Sequence, residues 1–494
     1  MAIIGVDIGT SSCSVIVFNE SGKILRSVNR KYTEYRENNV RELNPASVAN
    51  IVLDALAEAV EKSAEPIRAI SFTTLGESVV CTDQNDNVLC NSMVTGDPRG
   101  ILEVDDIVNR ISPAKTLKIT GLKPNEMYTL PKLMWMKKNT DVLDRTRKIF
   151  FFEDYLGYLL TGERKVSYSS AARSMAFDIY HKKWDEQLLS LAGLDPSYFS
   201  EPVSSGTVIG TVTPQMQKRL KLNCEVIVVA GGHDQCCAAL GSGVVDTSTG
   251  EDGHGTCEYL SIMLPQDIPA EVLAKYDLPC SPYVFPDKYF TGIEITTCGA
   301  LMNWFRDTVF ADIKTRCLEK NMDFFSYMDN ISSELSTDIM VLPQFGSSGN
   351  PDINYDVSGV ISGLTLHTRP EEIYLGIKES LAFQMKMAYD YACENGIKVE
   401  KIVLTGGGAN SKLTSQIRAN VFQLPVYTLE CSEAGALGCM ILCAVALGLY
   451  PDIKTCVSHT VRLVNETLPD KEKAKEYAEK FEKYKRLYSL MHLF

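Results

Sequence analysis

Residues 3–12 read IIGVDIGTSS, an apolar run that ends at an acid and continues into a turn of glycine and hydroxyl-bearing residues. Apolar residues resume at Val15, so the pattern predicts a β-hairpin. Asp7, at the end of the first strand, is suited to hold Mg²⁺ directly or through water. The turn suits a phosphate because it combines a backbone free of Cβ atoms with hydroxyl and N–H donors, contributed by Gly9, Thr10, Ser11 and Ser12. Taken alone, such a turn is more often a plain hairpin, so its role depends on the rest of the chain.

The composition is ordinary for a globular enzyme, and the length predicts two domains or one large two-lobed unit. At 494 residues the chain exceeds what one hydrophobic core usually supports. Hydrophobic residues make up 45% and charged residues 22%, which is ordinary for a globular protein. The net charge of −13 argues against a general nucleic-acid or anionic-membrane surface, although it leaves room for a local phosphate site.

The fifteen cysteines indicate a reducing compartment. The first residues show no signal-peptide pattern, because Gly5 and Asp7 interrupt the apolar stretch, and we therefore expect a cytoplasmic protein. None of the cysteines and histidines has zinc-site spacing. The longest apolar run, 434–450, is too short for a convincing membrane span and predicts a buried helix.

The first part of the chain predicts a hairpin sheet joined to an α/β crossover. Strand patterns cover 3–8, 14–18 and 23–29, and another covers 69–73. A helix is predicted between them, since Asn44 suits an N-cap and Pro45 the first helical position.

A second set of elements resembles the first. A predicted strand over 225–230 ends at Gly231–Gln235, and a small-residue helix over 236–241 follows. We then expect a turn of glycines and hydroxyls over 249–256, which echoes the opening hairpin and suggests a duplicated architecture. This pattern predicts two domains, residues 1–247 and 248–494.

Glycine-rich turns recur at strand ends, where doubly wound sheets place their ligands. The last such turn follows the strand 402–405 and contains Gly406, Gly407, Gly408, Ala409 and Asn410. The chain has no Walker loop, no GxGxxG unit at a credible position and no protein-kinase motif set. A nucleotide site of another kind is required.

Two further segments carry a family resemblance. One known signature is met at every restricted position, by Met127, Thr129, Lys132, Leu133, Trp135, Met136, Lys138 and Asn139. A second is met at Gly359, Ile361, Gly363, Leu364, Glu372, Ile373, Ile377 and Glu379, but Gly376 stands where Ala or Ser is usual and Lys378 where an apolar residue is usual. With these segments the chain resembles the FGGY carbohydrate kinases, as a xylulose-kinase-like member of the actin, hexokinase and heat-shock ATPase superfamily.

The resemblance implies an α/β fold of two actin-like (ribonuclease H-like) domains with a central cleft for nucleotide and sugar. Asp7 and the 9–12 turn resemble the first phosphate loop, and Gly255 with Thr256 resembles the second. The turn 406–410 resembles the adenosine loop, whose glycines would let the backbone lie flat against base and ribose. ATP with Mg²⁺ is the implied cofactor pair, and Asp7 and Asp234 are the implied metal ligands.

Asp234 is the candidate catalytic residue. A carboxylate on a tight glycine turn at a helix start fits the general base that phosphoryl transfer needs. The local alternative is an Asp that caps the following helix. The resemblance places the family's general base at this motif and a substrate-contacting amide at Gln235.

The sugar site is expected at two turns. Glu77 stands where a substrate-contacting residue is typical, but the segment reproduces neither the QMHG of xylulose kinases nor the Arg-Glu pair of glycerol kinases. Asp97 and Arg99 are suited to bind polyol hydroxyls, with a structural ion pair as the alternative. Thr95 replaces the tryptophan usual in the family, and the loss of that apolar wall argues against glycerol and also weakens the expectation of D-xylulose.

The sequence therefore predicts an ATP-dependent kinase of a ketose or polyol, with a pentulose as the first expectation. Alternative acceptors are ribulose, fuculose, erythritol, glycerol and an autoinducer-type sugar. A non-catalytic actin-like ATP-binding protein is the alternative from another class. Expected partners are the sugar and ATP, with no nucleic acid and no membrane, and a homodimer is left open.

Overall fold

The computed structural model describes residues 1–265, 268–354 and 356–490 and contains two mixed β-sheets, each covered by helices. The predicted opening hairpin is confirmed, since residues 2–31 form three successive antiparallel strands. The predicted helix after Asn44 is also confirmed, and the Asn44 side chain accepts a hydrogen bond of 2.9 Å from the Ser47 N–H.

The strands up to the end of the first sheet are β1 (Ala2–Ile8), β2 (Ser12–Asn19), β3 (Ile24–Lys31), β4 (Tyr35–Glu37), β5 (Val40–Leu43), β6 (Ile67–Thr74), β7 (Val79–Thr82), β8 (Ser92–Met93), β9 (Lys148–Phe151), β10 (Lys165–Ser167), β11 (Phe177–Asp178), β12 (Lys183–Trp184), β13 (Glu201–Val203), β14 (Val208–Thr211) and β15 (Ile227–His233). The helices of this part are α1 (Pro45–Glu61), α2 (Ile101–Arg110), α3 (Pro113–Thr120), α4 (Thr129–Asn139), α5 (Val142–Arg145), α6 (Phe152–Thr161), α7 (Tyr168–Ala172), α8 (Glu186–Ser190), α9 (Pro214–Leu220) and α10 (Asp234–Gly241).

The strands of the second part are β16 (Thr249–His254), β17 (Glu258–Met263), β18 (Ser281–Pro282), β19 (Tyr289–Ile295), β20 (Met340–Leu342), β21 (Val360–Ser362), β22 (Lys401–Gly406), β23 (Val426–Leu429) and β24 (Leu463–Thr467). The helices are α11 (Ala270–Leu273), α12 (Gly299–Asp307), α13 (Ala311–Glu319), α14 (Phe324–Ser332), α15 (Pro370–Glu394), α16 (Lys412–Phe422), α17 (Ala434–Ala446), α18 (Ile453–Thr460) and α19 (Ala474–Tyr488). Short 3₁₀ turns cover Pro196–Tyr198, Ala274–Tyr276 and Gly407–Asn410.

The two main sheets share one topology. The first has the strand order β14-β15-β6-β1-β2-β3, and the second has the order β18-β19-β17-β16-β22-β23-β24. In each, an antiparallel hairpin is followed by two strands that run parallel to its first strand. The common core is thus β3-β2-β1-β6-β15 in one lobe and β19-β17-β16-β22-β23 in the other. This repeat agrees with the predicted duplication, and the division after residue 247 stays a prediction.

Two sequence expectations are corrected. The predicted turn over 249–256 is strand β16 up to His254, and only the following residues turn. Strand β15 does not stop before the paired glycines but continues through them to His233. A Cβ atom on Gly231 would lie 1.9 Å from the carbonyl oxygen of Phe72, so only glycine permits this close strand packing.

The lobes are joined by the packing of α10 against α17. A Cβ on Gly438 would lie 2.1 Å from the Cys237 carbonyl oxygen, and one on Gly5 would lie 2.1 Å from that of Ala436. These backbones are therefore in direct contact. The apolar run at 434–450 forms the predicted buried helix, which ends at Ala446. Within the described residues we find no helix with the length and apolarity needed to cross a membrane.

Candidate active site

The predicted first phosphate loop joins β1 to β2 and is hydrogen-bonded by the side chain of Tyr32. The Tyr32 hydroxyl lies 2.6 Å from the Gly9 carbonyl oxygen and 2.9 Å from that of Ser12. Among the described residues, the N–H groups of Thr10 and Ser11 donate to no backbone carbonyl. The loop therefore turns carbonyls towards the protein and leaves N–H groups for an anion.

Three carboxylates converge next to this loop. Asp7 and Gly232 are both in register with Thr73 on the strand between them, so the end of β1 and the end of β15 are two strands apart. Burial, together with the negative charges of Asp234 and Glu433, raises the pKa of Asp7 to about 7. Neighbouring carboxylates that repel one another and form no ion pair with a described lysine or arginine are a donor set suited to a hard divalent cation, so these residues fit Mg²⁺.

Asp234 is the first residue of α10. Its Oδ1 accepts a hydrogen bond of 2.6 Å from the Gln235 N–H and lies 3.1 Å from His233 Nε2. The helix-capping alternative is not what the structure shows, because His233 occupies the N-cap position and no side chain caps the helix. Gln235 is half-buried beside Asp234. Burial lowers the pKa of His233, and the Arg173 charge lowers it further while Asp234 opposes both, so His233 is neutral at neutral pH.

Glu77 lies in a buried ion pair that sequence reasoning did not find. Arg173 Nε donates to Glu77 Oε1 over 2.6 Å, and Thr95 Oγ1 donates to Glu77 Oε2 over 2.7 Å. Burial acts to raise the pKa of Glu77, but the positive charge of Arg173, together with those of His233 once it is protonated at acid pH and of Lys132, outweighs it and lowers the pKa to about 2. The residue that replaces the usual tryptophan is thus a direct partner of Glu77.

Asp97 and Arg99 are brought together in the second predicted sugar turn. Arg99 donates to Asp97 Oδ1 over 2.8 Å and to Oδ2 over 2.7 Å, and the Arg41 N–H donates to Oδ2 over 2.8 Å. Asp97 is buried, and Arg99 also donates to Glu42 over 2.7 Å. Most of their hydrogen-bonding capacity is used within the protein, which favours the structural alternative, and their contact with a sugar stays a prediction.

The second lobe faces the Glu77–Arg173 ion pair through Glu294 and Tyr259. The pKa of Glu294 is raised, chiefly by burial; the positive charge of Arg173 acts to lower this pKa, and the negative charge of Glu77 acts to raise it. Burial also raises the pKa of Tyr259, again opposed by Arg173. Side chains of both lobes therefore lie close to the same guanidinium, as expected for a cleft between lobes.

The second phosphate loop and the adenosine loop border one cavity of about 360 Å³, which is large enough for a nucleoside. Its lining includes Gly255, Thr256, Gly407 and Gly408. The Thr256 carbonyl accepts hydrogen bonds of 3.1 Å from the N–H groups of Cys298 and Ala300, which ties this turn to the start of α12. The turn therefore joins the cavity to a helix terminus.

Two glycines of the adenosine loop are required by packing against His254, and not only by the expected approach of the backbone to base and ribose. A Cβ on Gly408 would lie 2.3 Å from His254 Nδ1, and one on Gly406 would lie 2.4 Å from the His254 carbonyl oxygen. The glycines therefore make room for His254, whereas a Cβ on Gly407 meets nothing closer than 3.8 Å. Ala409 packs against the core, and Asn410 is exposed.

A buried charged network forms the floor of the cavity and has no counterpart in the sequence analysis. His254 Nε2 lies 3.1 Å from Asp252 Oδ2, and Arg418 Nη2 lies 2.5 Å from Glu258 Oε1. Among the described residues, His254, Glu258 and Cys298 place potential metal ligands within 4.8 Å of one another. Arg418 faces both carboxylates of this network, since its Nε lies 3.6 Å from Asp252 Oδ2.

The residues that sequence reasoning missed share one property. Arg173, Glu294 and Glu433 lie outside the glycine turns, and Arg173 is 96 residues from its partner Glu77. Asp252 and His254 of the charged network lie within the 249–256 segment, but their partner Arg418 is distant in the chain. The only signal of the Glu77–Arg173 pair in the sequence was that Glu77 and Thr95 stand where the family usually has other residues, and the structure shows these two side chains to be hydrogen-bonded.

The fold defines a two-lobed protein of the α/β class, with the loops predicted to hold phosphates at strand ends in both lobes. The chain belongs to the FGGY family of carbohydrate kinases: residues 2–241 match the N-terminal domain of the family and residues 255–447 match its C-terminal domain. It is therefore a carbohydrate kinase, as the sequence analysis predicts.

Individual relatives match along nearly their whole length. The chain is 26% identical to a xylulose kinase of Staphylococcus xylosus (98% of this chain, 99% of the relative) and 23% identical to an autoinducer-2 kinase of Salmonella typhimurium (98% and 94%). Its fold is similar to that of xylulose kinase from Rhodospirillum rubrum, with a TM-score of 0.89, 22% identity and coverage of 100% and 99%. Plasmodium falciparum glycerol kinase with ADP gives a TM-score of 0.86, 21% identity and coverage of 98% and 97%. The predicted fold class is confirmed.

Proposed function

We propose that this protein transfers the γ-phosphoryl group of ATP to a hydroxyl of a ketose, with a pentulose such as xylulose as the acceptor. The observation that carries the proposal is the convergence of Asp7 and Asp234 at the ends of two strands beside a loop with free N–H groups. Full-length similarity to proteins named xylulose kinase supports the choice of acceptor.

Asp7 and Asp234 would hold Mg²⁺, with Glu433 close by. When bound, the cation supplies positive charge that neutralises the phosphoryl oxygens. The Asp7 carboxylate is half-buried and raised in pKa, and coordination would remove the repulsion from its two neighbours. The phosphates would lie against the N–H groups of the 9–12 turn and of the turn at Gly255.

Asp234 would act as the general base. Its Oδ1 is engaged by Gln235 and His233, whereas Oδ2 has no hydrogen bond to any described residue and is available to the acceptor hydroxyl. As the hydroxyl oxygen bonds to the γ-phosphorus, the bond to the β–γ bridging oxygen breaks and the hydroxyl proton passes to Asp234 Oδ2. Neutral His233, with its proton on Nε2, donates to Oδ1 and so orients this carboxylate, which leaves Oδ2 to the acceptor hydroxyl.

The acceptor would lie between the Glu77–Arg173 pair and Glu294 of the second lobe. Carboxylates accept hydrogen bonds from sugar hydroxyls and a guanidinium donates in a fork, so this arrangement suits a polyhydroxy ligand. Closure of the lobes would then exclude water from the phosphoryl group.

The test is Asp234→Asn, which preserves the shape of the side chain and removes its basicity. ADP release in the presence of xylulose, ribulose and related polyols should fall about 10²–10⁴-fold, with ATP binding largely retained through Asp7 and the phosphate loops. Asp246→Asn is the matched control, since Asp246 is exposed and accepts its hydrogen bonds from Ser248. Full turnover by Asp234→Asn would exclude the base assignment, and ATP binding without stimulation by any sugar would favour the non-catalytic alternative.

A further inference from the structure

Lys378 is an ammonium group at a position where the FGGY signature usually has an apolar residue, and it lines the cavity beside Gly407 and Gly408. Its Nζ donates to Ser411 Oγ over 2.8 Å and to Thr414 Oγ1 over 3.0 Å, and it forms an ion pair with Asp329. The side chain is 9% exposed. All three ammonium hydrogens therefore have partners, and Lys378 ties α14, α15 and α16 together around the cavity.

Asp329 is held by these contacts through one oxygen only. The Tyr374 hydroxyl donates to Asp329 Oδ1 over 2.7 Å, and Lys378 contacts the same oxygen. Oδ2 accepts no hydrogen bond from the described residues, and the residue lines the cavity. The carboxylate is thus oriented by two donors and offers one free acceptor.

The rest of the cavity fits a flat aromatic ring. Phe325, Tyr374 and Leu381 contribute apolar wall, while Gly255 and Thr256 of the second phosphate loop lie on the same cavity. A nucleotide whose phosphates lie at Gly255 therefore has room for its base near Asp329.

We infer that Asp329 is a base-specificity residue that accepts a hydrogen bond from the 6-amino group of adenine. The inference rests on the proposed function, since it assumes that the nucleotide occupies this cavity. A carboxylate flanked by Lys378 is an acceptor without a proton to donate. It favours an amino group at the 6-position and disfavours a carbonyl oxygen there.

The hydrogen-bonding chemistry of this site predicts that Asp329→Asn reverses the preference between ATP and ITP. Lys378 and Tyr374 both donate, so the amide oxygen must take the place of Oδ1, and the amide NH₂ then takes the place of Oδ2. An NH₂ in that position repels the amino group of adenine and donates to the 6-carbonyl of hypoxanthine. The variant should therefore lose preference for ATP and gain preference for ITP.

The experiment measures the dissociation constants of ATP and ITP for the full-length protein by calorimetry. Because both nucleotides carry the same ribose and phosphates, their ratio reports the base alone. Wild-type protein should bind ATP at least about tenfold more tightly than ITP, and Asp329→Asn should shift the ratio towards ITP by about tenfold or more. Asp323→Asn is the control: Asp323 caps the same helix, is exposed and does not line the cavity.

The outcomes separate this inference from the function on which it rests. Tight ATP binding with an ATP-to-ITP ratio near one in the wild type, or an unchanged ratio in Asp329→Asn, would overturn the role of Asp329 and leave the kinase proposal standing. The wild-type comparison does not depend on the variant's folding. Failure of the wild type to bind either nucleotide would contradict both proposals.

Discussion

Replacing Glu77 by Gln tests whether the buried ion pair at the sugar site is as strong as its geometry indicates. The change preserves the size of the side chain and removes its charge. Arg173 then keeps its positive charge in a site where it is only 10% exposed and loses its ionic partner. A buried guanidinium without a counter-charge is strongly disfavoured.

The magnitude follows from the pKa. The surroundings lower the pKa of Glu77 from 4.5 to about 2. Each pKa unit corresponds to about 1.4 kcal/mol, so the ionised form contributes about 3 kcal/mol to the stability of the folded protein. Breaking one buried partner of an ion pair typically costs about 3–5 kcal/mol, which is the same range. We expect Glu77→Gln to destabilise the protein by about 3 kcal/mol at pH 7.

The pH dependence has a defined sign. The folded-state pKa of Glu77 is lower than its unfolded value, so its contribution is complete above pH 4.5 and is lost as the pH falls towards 2. The difference in unfolding free energy between wild type and Glu77→Gln should therefore narrow from pH 5 to pH 3.

Urea unfolding followed by fluorescence and by circular dichroism checks these values. A double-mutant cycle with Arg173→Met isolates the pair, since the double variant should be more stable than the sum of the two single effects. The reasoning would be refuted by a destabilisation below about 1 kcal/mol at pH 7 or by strict additivity in the cycle.

Two further predictions concern the cation site and the joint between lobes. Because the pKa of Asp7 is raised to about 7, its side chain ionises between pH 6 and pH 8. The rise in melting temperature on adding Mg²⁺ should therefore be larger at pH 8 than at pH 6, and Asp7→Asn should abolish that difference. A rise that does not depend on pH would contradict the assignment of Asp7 as a metal ligand. Gly438→Ala should lower the unfolding free energy by about 2 kcal/mol or more, because the methyl group would meet the Cys237 carbonyl, whereas Gly346→Ala, whose nearest contact is 3.7 Å, should have little effect on thermal unfolding.

Local patterns predicted the elements that carry the phosphate loops. The apolar runs on either side of the turn in residues 3–18, the Asn44–Pro45 helix start and the apolar run at 434–450 are short-range signals, and the structure confirms each of them, the last as a buried helix that ends at Ala446. Local patterns were misleading where glycines continue a strand. Gly231 does not end the strand; it is a glycine because a larger residue there would collide with the neighbouring strand at Phe72.

The candidate site divides in the same way. Asp7, Asp234 and the two glycine turns were identifiable because each loop is contiguous in sequence. Arg173, Glu294 and Asp329 were not, because their significance comes from partners on other elements. Glu77 was named for its position, yet only the structure shows that its partners are Arg173 and Thr95.

The sequence by itself determined the family, the two-lobed α/β fold and the loops predicted to hold phosphates, since these depend on periodicity and on residues adjacent in the chain. Only the tertiary structure decided which charges face one another: Asp7 with Asp234, Glu77 with Arg173, and Asp329 with Lys378. The reason is electrostatic. A charge acquires its pKa and its available hydrogen bonds from groups within a few ångströms, and in this fold those groups come from distant parts of the chain.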